Sequence, residues 1–124
     1  MISLAPDTKT DLQELLRKED VRFRAGILWA IGRLGPLARE SIGAVLPAVA
    51  AALGDSDPQV RGLAVWALGE MGRADQLASR PELLCDKGAV DLYEDGYLRR
   101  THVRNLTLRA FLSSSGDLRK LIPA

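Results

Sequence analysis

Ten residues beginning at Gly26, GILWAIGRLG, return with small changes from Leu63 as LAVWALGEMG. The two stretches lie 37 residues apart and place Trp29 over Trp66, Ala30 over Ala67, Gly32 over Gly69 and Gly35 over Gly72. The register holds upstream, where Asp20 falls on Asp57, Arg24 on Arg61, and Leu12 and Leu16 on Val49 and Leu53. Self-similarity at such a period marks a repeat architecture, because each copy is one supersecondary unit with an apolar face that it cannot bury alone. Within the second copy Val60, Leu63, Ala64, Ala67, Leu68 and Met71 recur at steps of three and four, which defines one buried helical stripe. Each unit therefore reads as two helical segments.

Local chemistry sets the boundaries. Asp20 and Asp57 stand where a carboxylate accepts the unpaired N–H groups of a first helical turn, and Pro58 suits the first helical position because no donor is needed there. Gly35 and Gly72 follow the last apolar position of each copy, where a residue without Cβ takes the left-handed conformation that ends a helix. Thr8 and Asp11 form a weak capping box that opens a helix over residues 8–18. Pro47 makes residues 37–53 either one kinked helix or a turn followed by a helix from Val45. The glycines inside helices, Gly26, Gly32, Gly62 and Gly69, each cost roughly 1 kcal/mol of propensity against alanine. Close approach of neighbouring helices is the expected compensation.

Beyond Gly72 the period loosens. Residues 74–84 supply one further helix, disturbed by Pro81. In AVDLYEDGYLRRTHV the spacing of Val90, Leu92, Leu98 and Val103 fits extended chain, with Glu94, Asp95 and Gly96 at a tight turn. A small β-hairpin is predicted, with strands over 89–93 and 97–102. Val103, Leu106, Ala110 and Phe111 then share one face of a last helix that ends near Ser114.

The 124 residues suffice for one domain with a modest core, and 47% hydrophobic against 27% charged residues exclude a disordered chain. The nearly uncharged run from Ser41 to Gly54 is too short to span a bilayer, and MISLAPDTKT lacks the build of a signal peptide, so a cytoplasmic, non-membrane protein is expected. The lone Cys85 has no partner for an internal disulfide and reads as a small core or loop residue. Charge is uneven. Residues 1–96 hold 11 Lys or Arg against 15 Asp or Glu, whereas residues 97–124 hold 6 against 1.

The motif DPQVRGLAVWALGEMG resembles the second helix of HEAT repeats, particularly the bacterial type found in phycobilin lyase subunits, and DVRFRAGILWAIGRLG is similar apart from the missing proline. The resemblance covers one unit at 8–35 and another at 37–72, with a degenerate third at 74–114 that includes the hairpin. It implies an all-α, right-handed α-α superhelix with a small β-hairpin near the C-terminus. Its second helices would line a concave side, and members of the family mostly hold other proteins. So short an array reads either as part of a longer solenoid or as a small protein capped by its hairpin and last helix.

Candidate contacts follow from that frame. Trp29 and Trp66 hold equivalent positions, with Arg33 and Glu70 one turn further on; they either pack on neighbouring repeats or form an aromatic ridge for a partner protein. Arg24 and Arg61 read as structural, with Asp20 and Asp57 as candidate partners. Arg99, Arg100, His102, Arg104 and Arg109 form a basic cluster suited to phosphates or an acidic protein surface, or else a solvated edge that keeps the hairpin from pairing with other chains. Strand alternation separates Arg99 from Arg100.

One His and one Cys give no zinc spacing, no glycine-rich phosphate loop is present, and Ser113 to Ser115 have no base near them in sequence. The reading is a noncatalytic scaffold without metal or cofactor that binds another protein. Nucleic-acid binding through the arginines and a bilin lyase-like subunit are the alternatives, and the solenoid ends offer a route to oligomers.

Overall fold

A computed structural model describes residues 20–37 and 45–115. The expected helix over 8–18 and the start of the 37–53 segment lie outside these residues. The described chain runs α1 (Val21–Leu34), α2 (Val45–Ala52), α3 (Pro58–Glu70), two 3₁₀ segments (Ala74–Ser79 and Pro81–Cys85), strands β1 (Ala89–Glu94) and β2 (Tyr97–His102), and α4 (Val103–Ser115).

The helix ends form where the caps stand. The Asp20 carboxylate accepts from the Arg22 N–H at 2.9 Å and that of Asp57 from the Gln59 N–H at 2.8 Å, with Pro58 opening α3. Gly35 closes α1 at φ 55°, and Gly72 follows α3 at φ 73°. Past Gly72 the chain folds back so that the Arg73 N–H donates to the Leu68 carbonyl at 2.8 Å, satisfying an end group of α3.

α3 is the centre of the molecule. Its sides pack against α1, α4, α2, β1 and the first 3₁₀ segment, and its run from Gly62 to Leu68 is buried on every side. A helix apolar all round must be enclosed, and here helices flank it while the hairpin lies over it. The core joins Leu28 and Ile31 of α1, Val49 of α2, Leu68 of α3, Val90 and Leu92 of β1, and Leu106 of α4.

The hairpin forms as expected. β1 and β2 pair antiparallel from Ala89 opposite His102 to Glu94 opposite Tyr97, and Asp95 and Gly96 both have positive φ, 55° and 81°. That two-residue turn twists with the strands, and Asp with Gly tolerates it best. Leu98 lies in β2 and is 66% exposed.

In place of the one further helix expected over 74–84 with Pro81 disturbing it, the segment after Gly72 forms two 3₁₀ segments divided at Arg80. The ring of Pro81 disfavours the helical conformation in the residue before it and removes a donor; Arg80 stands at φ −130° and ψ 62°, outside the helical region, so a single helix does not run through. Cys85, at the end of the second segment, is exposed rather than in the core. No helix among the described residues is long and apolar enough to cross a membrane.

Candidate functional site

Two arginines tie successive elements together. Arg24 of α1 donates through Nε and Nη2 to the Asp55 carboxylate at 3.1 and 3.2 Å; Arg61 of α3 holds Asp86 in the same forked way at 2.8 and 3.1 Å. These partners replace the expected Asp20 and Asp57, whose carboxylates are turned to their own helix N-termini. Asp55 and Asp86 are built alike. Each also accepts the N–H two residues on, from Asp57 and from Gly88, both at 2.9 Å, so one carboxylate fixes a turn and receives the preceding arginine. The hydrogen bond from Arg61 holds Asp86 below the usual carboxylate range, and the pairing raises Arg61.

The second of these turns marks where the hairpin leaves and re-enters. The Val103 N–H donates to the Gly88 carbonyl at 3.0 Å and the Arg104 N–H to the Asp86 carbonyl at 2.8 Å. The hairpin is therefore a closed excursion between that turn and α4. α4 packs on one side of α3 as α1 does on the other, with Val103, Leu106, Thr107 and Ala110 buried. The fully buried Thr107 hydroxyl donates to the Val103 carbonyl at 2.9 Å.

Both indoles meet the hairpin. Trp29 Nε1 donates to the Tyr93 carbonyl at 3.0 Å, its ring meets the Tyr93 ring edge-on at 6.5 Å, and the Arg33 guanidinium lies 5.7 Å from its centre. Trp66 is 5% exposed, packed over Gly32, with Nε1 donating to Glu94 at 3.3 Å. The two thus share one side of the helices, but β1 covers that side at Trp66, and the buried Trp66 ring offers little surface to a partner. Gln59 reinforces the seat by pairing with both backbone groups of Asp91, at 2.7 and 2.8 Å.

Three of the glycines accommodate neighbours. A methyl at Gly32 would strike the Trp66 ring, one at Gly62 the Val90 side chain, and one at Gly69 would sit 3.1 Å from Ala110. Gly26 is the exception to the close-approach expectation. No described atom comes within 4 Å of a Cβ built there.

The hairpin leaves two recesses on this side. One, about 380 Å³, is open and mainly apolar, walled by Ala25, Gly26, Trp29, Leu63, Tyr93 and Leu98. The other, about 250 Å³, gathers Arg33, Glu70 and the edge of Trp66 beside the hairpin turn. Of the expected partner contacts, Arg33, Trp66 and Glu70 come together there, while Trp29 faces the first recess.

The basic cluster is largely neutralised by carboxylates. Arg109 forks onto Glu94 at 2.9 and 2.6 Å, Arg99 reaches the same carboxylate at 3.0 Å, and Arg100 forks onto Asp91 at 2.8 and 3.1 Å. Alternation does separate Arg99 from Arg100, which bond to different carboxylates. The Arg109 hydrogen bond holds Glu94 below the usual carboxylate range, and the Arg100 hydrogen bond does the same for Asp91. Arg104 is exposed and His102 is half-buried at the end of β2. Among the described residues no three His, Cys, Asp or Glu side chains form a metal-holding group.

Residues 8–84 match the HEAT repeats. The chain belongs to the HEAT-repeat family. The match ends within the second 3₁₀ segment, so the hairpin and α4 lie beyond it. HEAT repeats are commonly protein-interaction scaffolds. No curated protein and no solved structure matches the chain.

Proposed function

We propose that this HEAT-repeat chain is a noncatalytic protein-binding module whose helices continue the right-handed superhelix of its family. Its partner sits on the side of α1 and α3 that carries Trp29, Arg33 and Glu70. One observation carries the reading: the hairpin stops short of covering that side and leaves an open apolar recess of about 380 Å³ beside a half-buried tryptophan. A Trp with a stacked arginine at its rim is the composition of a binding hot spot. Trp66 has a supporting role, holding α1, α3 and the hairpin turn together.

Nucleic-acid binding is the weaker reading, because Arg99, Arg100 and Arg109 are already spent on Glu94 and Asp91. The test is affinity capture by the full chain, read by mass spectrometry and compared with Leu98→Glu. That change puts a charge at the recess mouth on a side chain already 66% exposed, so the fold is kept. A partner captured by the wild type and lost with Leu98→Glu is the expected result. Equal capture by both overturns the assignment of this side.

A further inference from the structure

We infer that the recess at Gly26 receives an acidic amphipathic helix of the partner; this rests on the protein-binding reading above and narrows it to one chemistry. The first ground is Gly26 itself. A glycine in the middle of a helix weakens it, and the other three repay that by admitting Trp66, Val90 and Ala110. Gly26 admits nothing of the described chain, yet it forms the floor of the apolar recess between Trp29, Tyr93 and Leu98. A missing side chain at that point lets a large apolar group from outside come down onto the helix.

The second ground is backbone supply. A partner strand would need a run of unpaired ladder groups beside the recess, and β1 has turned three of its outward groups to its own helices: Asp91 pairs with Gln59 through both N–H and C=O, and the Tyr93 carbonyl accepts from Trp29. A helix satisfies its own backbone and asks only for an apolar trough.

The third ground is charge. α1 contains Arg22, Arg24 and Arg33 and no carboxylate; Arg24 is held by Asp55, whereas Arg22, 3.6 Å from the capping Asp20, keeps its side chain almost fully exposed and Arg33 lies over the Trp29 ring. Arg22, Gly26, Trp29 and Arg33 follow one another at steps of four, three and four, so the exposed cations bracket the recess along one stripe. At a rise of about 1.5 Å per residue the two arginines stand roughly 16 Å apart along α1, about three helical turns. Asp91, which also lines the recess, is neutralised by Arg100. The complement is a helix with a large apolar side chain at its centre and Asp or Glu a turn or two to either side. A second copy of this chain would set arginine stripe against arginine stripe, which disfavours self-association there.

The probe is a displayed library of amphipathic helices of about 15 residues, randomised on one face, selected on the full wild-type chain and compared on Gly26→Leu. A Cβ at 26 meets no described atom within 4 Å and a side chain there improves helix propensity, so Gly26→Ala should melt no lower than wild type; Gly26→Leu extends further into the recess, and its melting temperature is measured beside its binding. Enriched sequences should combine a Leu, Phe or Trp anchor with flanking acids. They should bind Gly26→Leu about tenfold more weakly or worse, and Arg22→Glu or Arg33→Glu should also weaken them, most at low salt.

Basic or uncharged winners, winners that bind Gly26→Leu as well as wild type, or no enrichment would each overturn the inference. So would a wild-type dimer that Gly26→Leu dissociates. A natural partner lost by Leu98→Glu but kept by Gly26→Leu would leave the protein-binding reading intact and remove only the helix site.

Discussion

At the scale of single residues, glycines with one sequence role have opposite structural ones. Gly26→Ala should raise stability by about 0.4–1 kcal/mol, because the methyl meets no described neighbour and the unfolded chain loses freedom. Gly32→Ala should lower it by about 1–3 kcal/mol, since the same methyl drives into the Trp66 ring. Urea unfolding of the two variants checks both signs. Sequence alone could not separate them, because register makes both glycines interior to the same helix while only the folded neighbourhood tells which is covered. The arginine partners were hidden for a similar reason. Arg24 and Asp55 lie 31 residues apart and Arg61 and Asp86 lie 25 apart, so no single period aligns them. The signal that could have found them is the short turn DSD at 55 and DKG at 86, an aspartate that caps the N–H two residues on.

At the scale of elements, helix ends and the hairpin turn were legible because caps and positive-φ turns depend on adjacent residues. Asp20, Asp57, Gly35 and the Asp95–Gly96 turn all act locally. The division into two 3₁₀ segments is harder to read, because the helical pattern of residues 74–84 competes with the helix-breaking Pro81, and both segments pack against α4. Packing of Trp66 on the neighbouring repeat is one of the two readings the sequence allows, and the ring does lie over Gly32; that β1 also covers it is beyond sequence reach, since it depends on the hairpin folding across α3. The hairpin is anchored there by Glu94, which receives Arg109, Arg99 and Trp66. Glu94→Ala should cost about 1–3 kcal/mol by leaving those donors without an acceptor, measured by thermal or urea unfolding.

Acid should act through the same groups. Arg109 lowers the folded pKa of Glu94 and Arg61 that of Asp86. A depressed carboxylate stabilises the fold above its unfolded pKa of about 4 and loses that contribution as pH falls through the folded value. Stability should therefore be level near neutral pH and fall on acidification below about pH 4. Glu94→Gln, which cannot titrate, should show a shallower fall in urea unfolding followed against pH.

At the scale of the whole molecule, α1, α3 and α4 stand side by side, Arg–Asp links tie α1 and α3 to the turns that follow, and a strand pair inserted before α4 folds back over the tryptophan side. That insertion turns a repeat face into a partly roofed surface with one opening, which is why the proposed contact shifts from both tryptophans to Trp29 and its apolar surroundings. The central claim is that β1 lies directly on α3, and it is tested most directly by solution NMR of the full chain. Strong NOEs are expected between the Val90 methyls and the Gly62 α-protons, together with a Trp66 indole N–H protected from exchange with solvent. Val90 methyls that show contacts only within the hairpin, with a rapidly exchanging Trp66 N–H, would contradict the account.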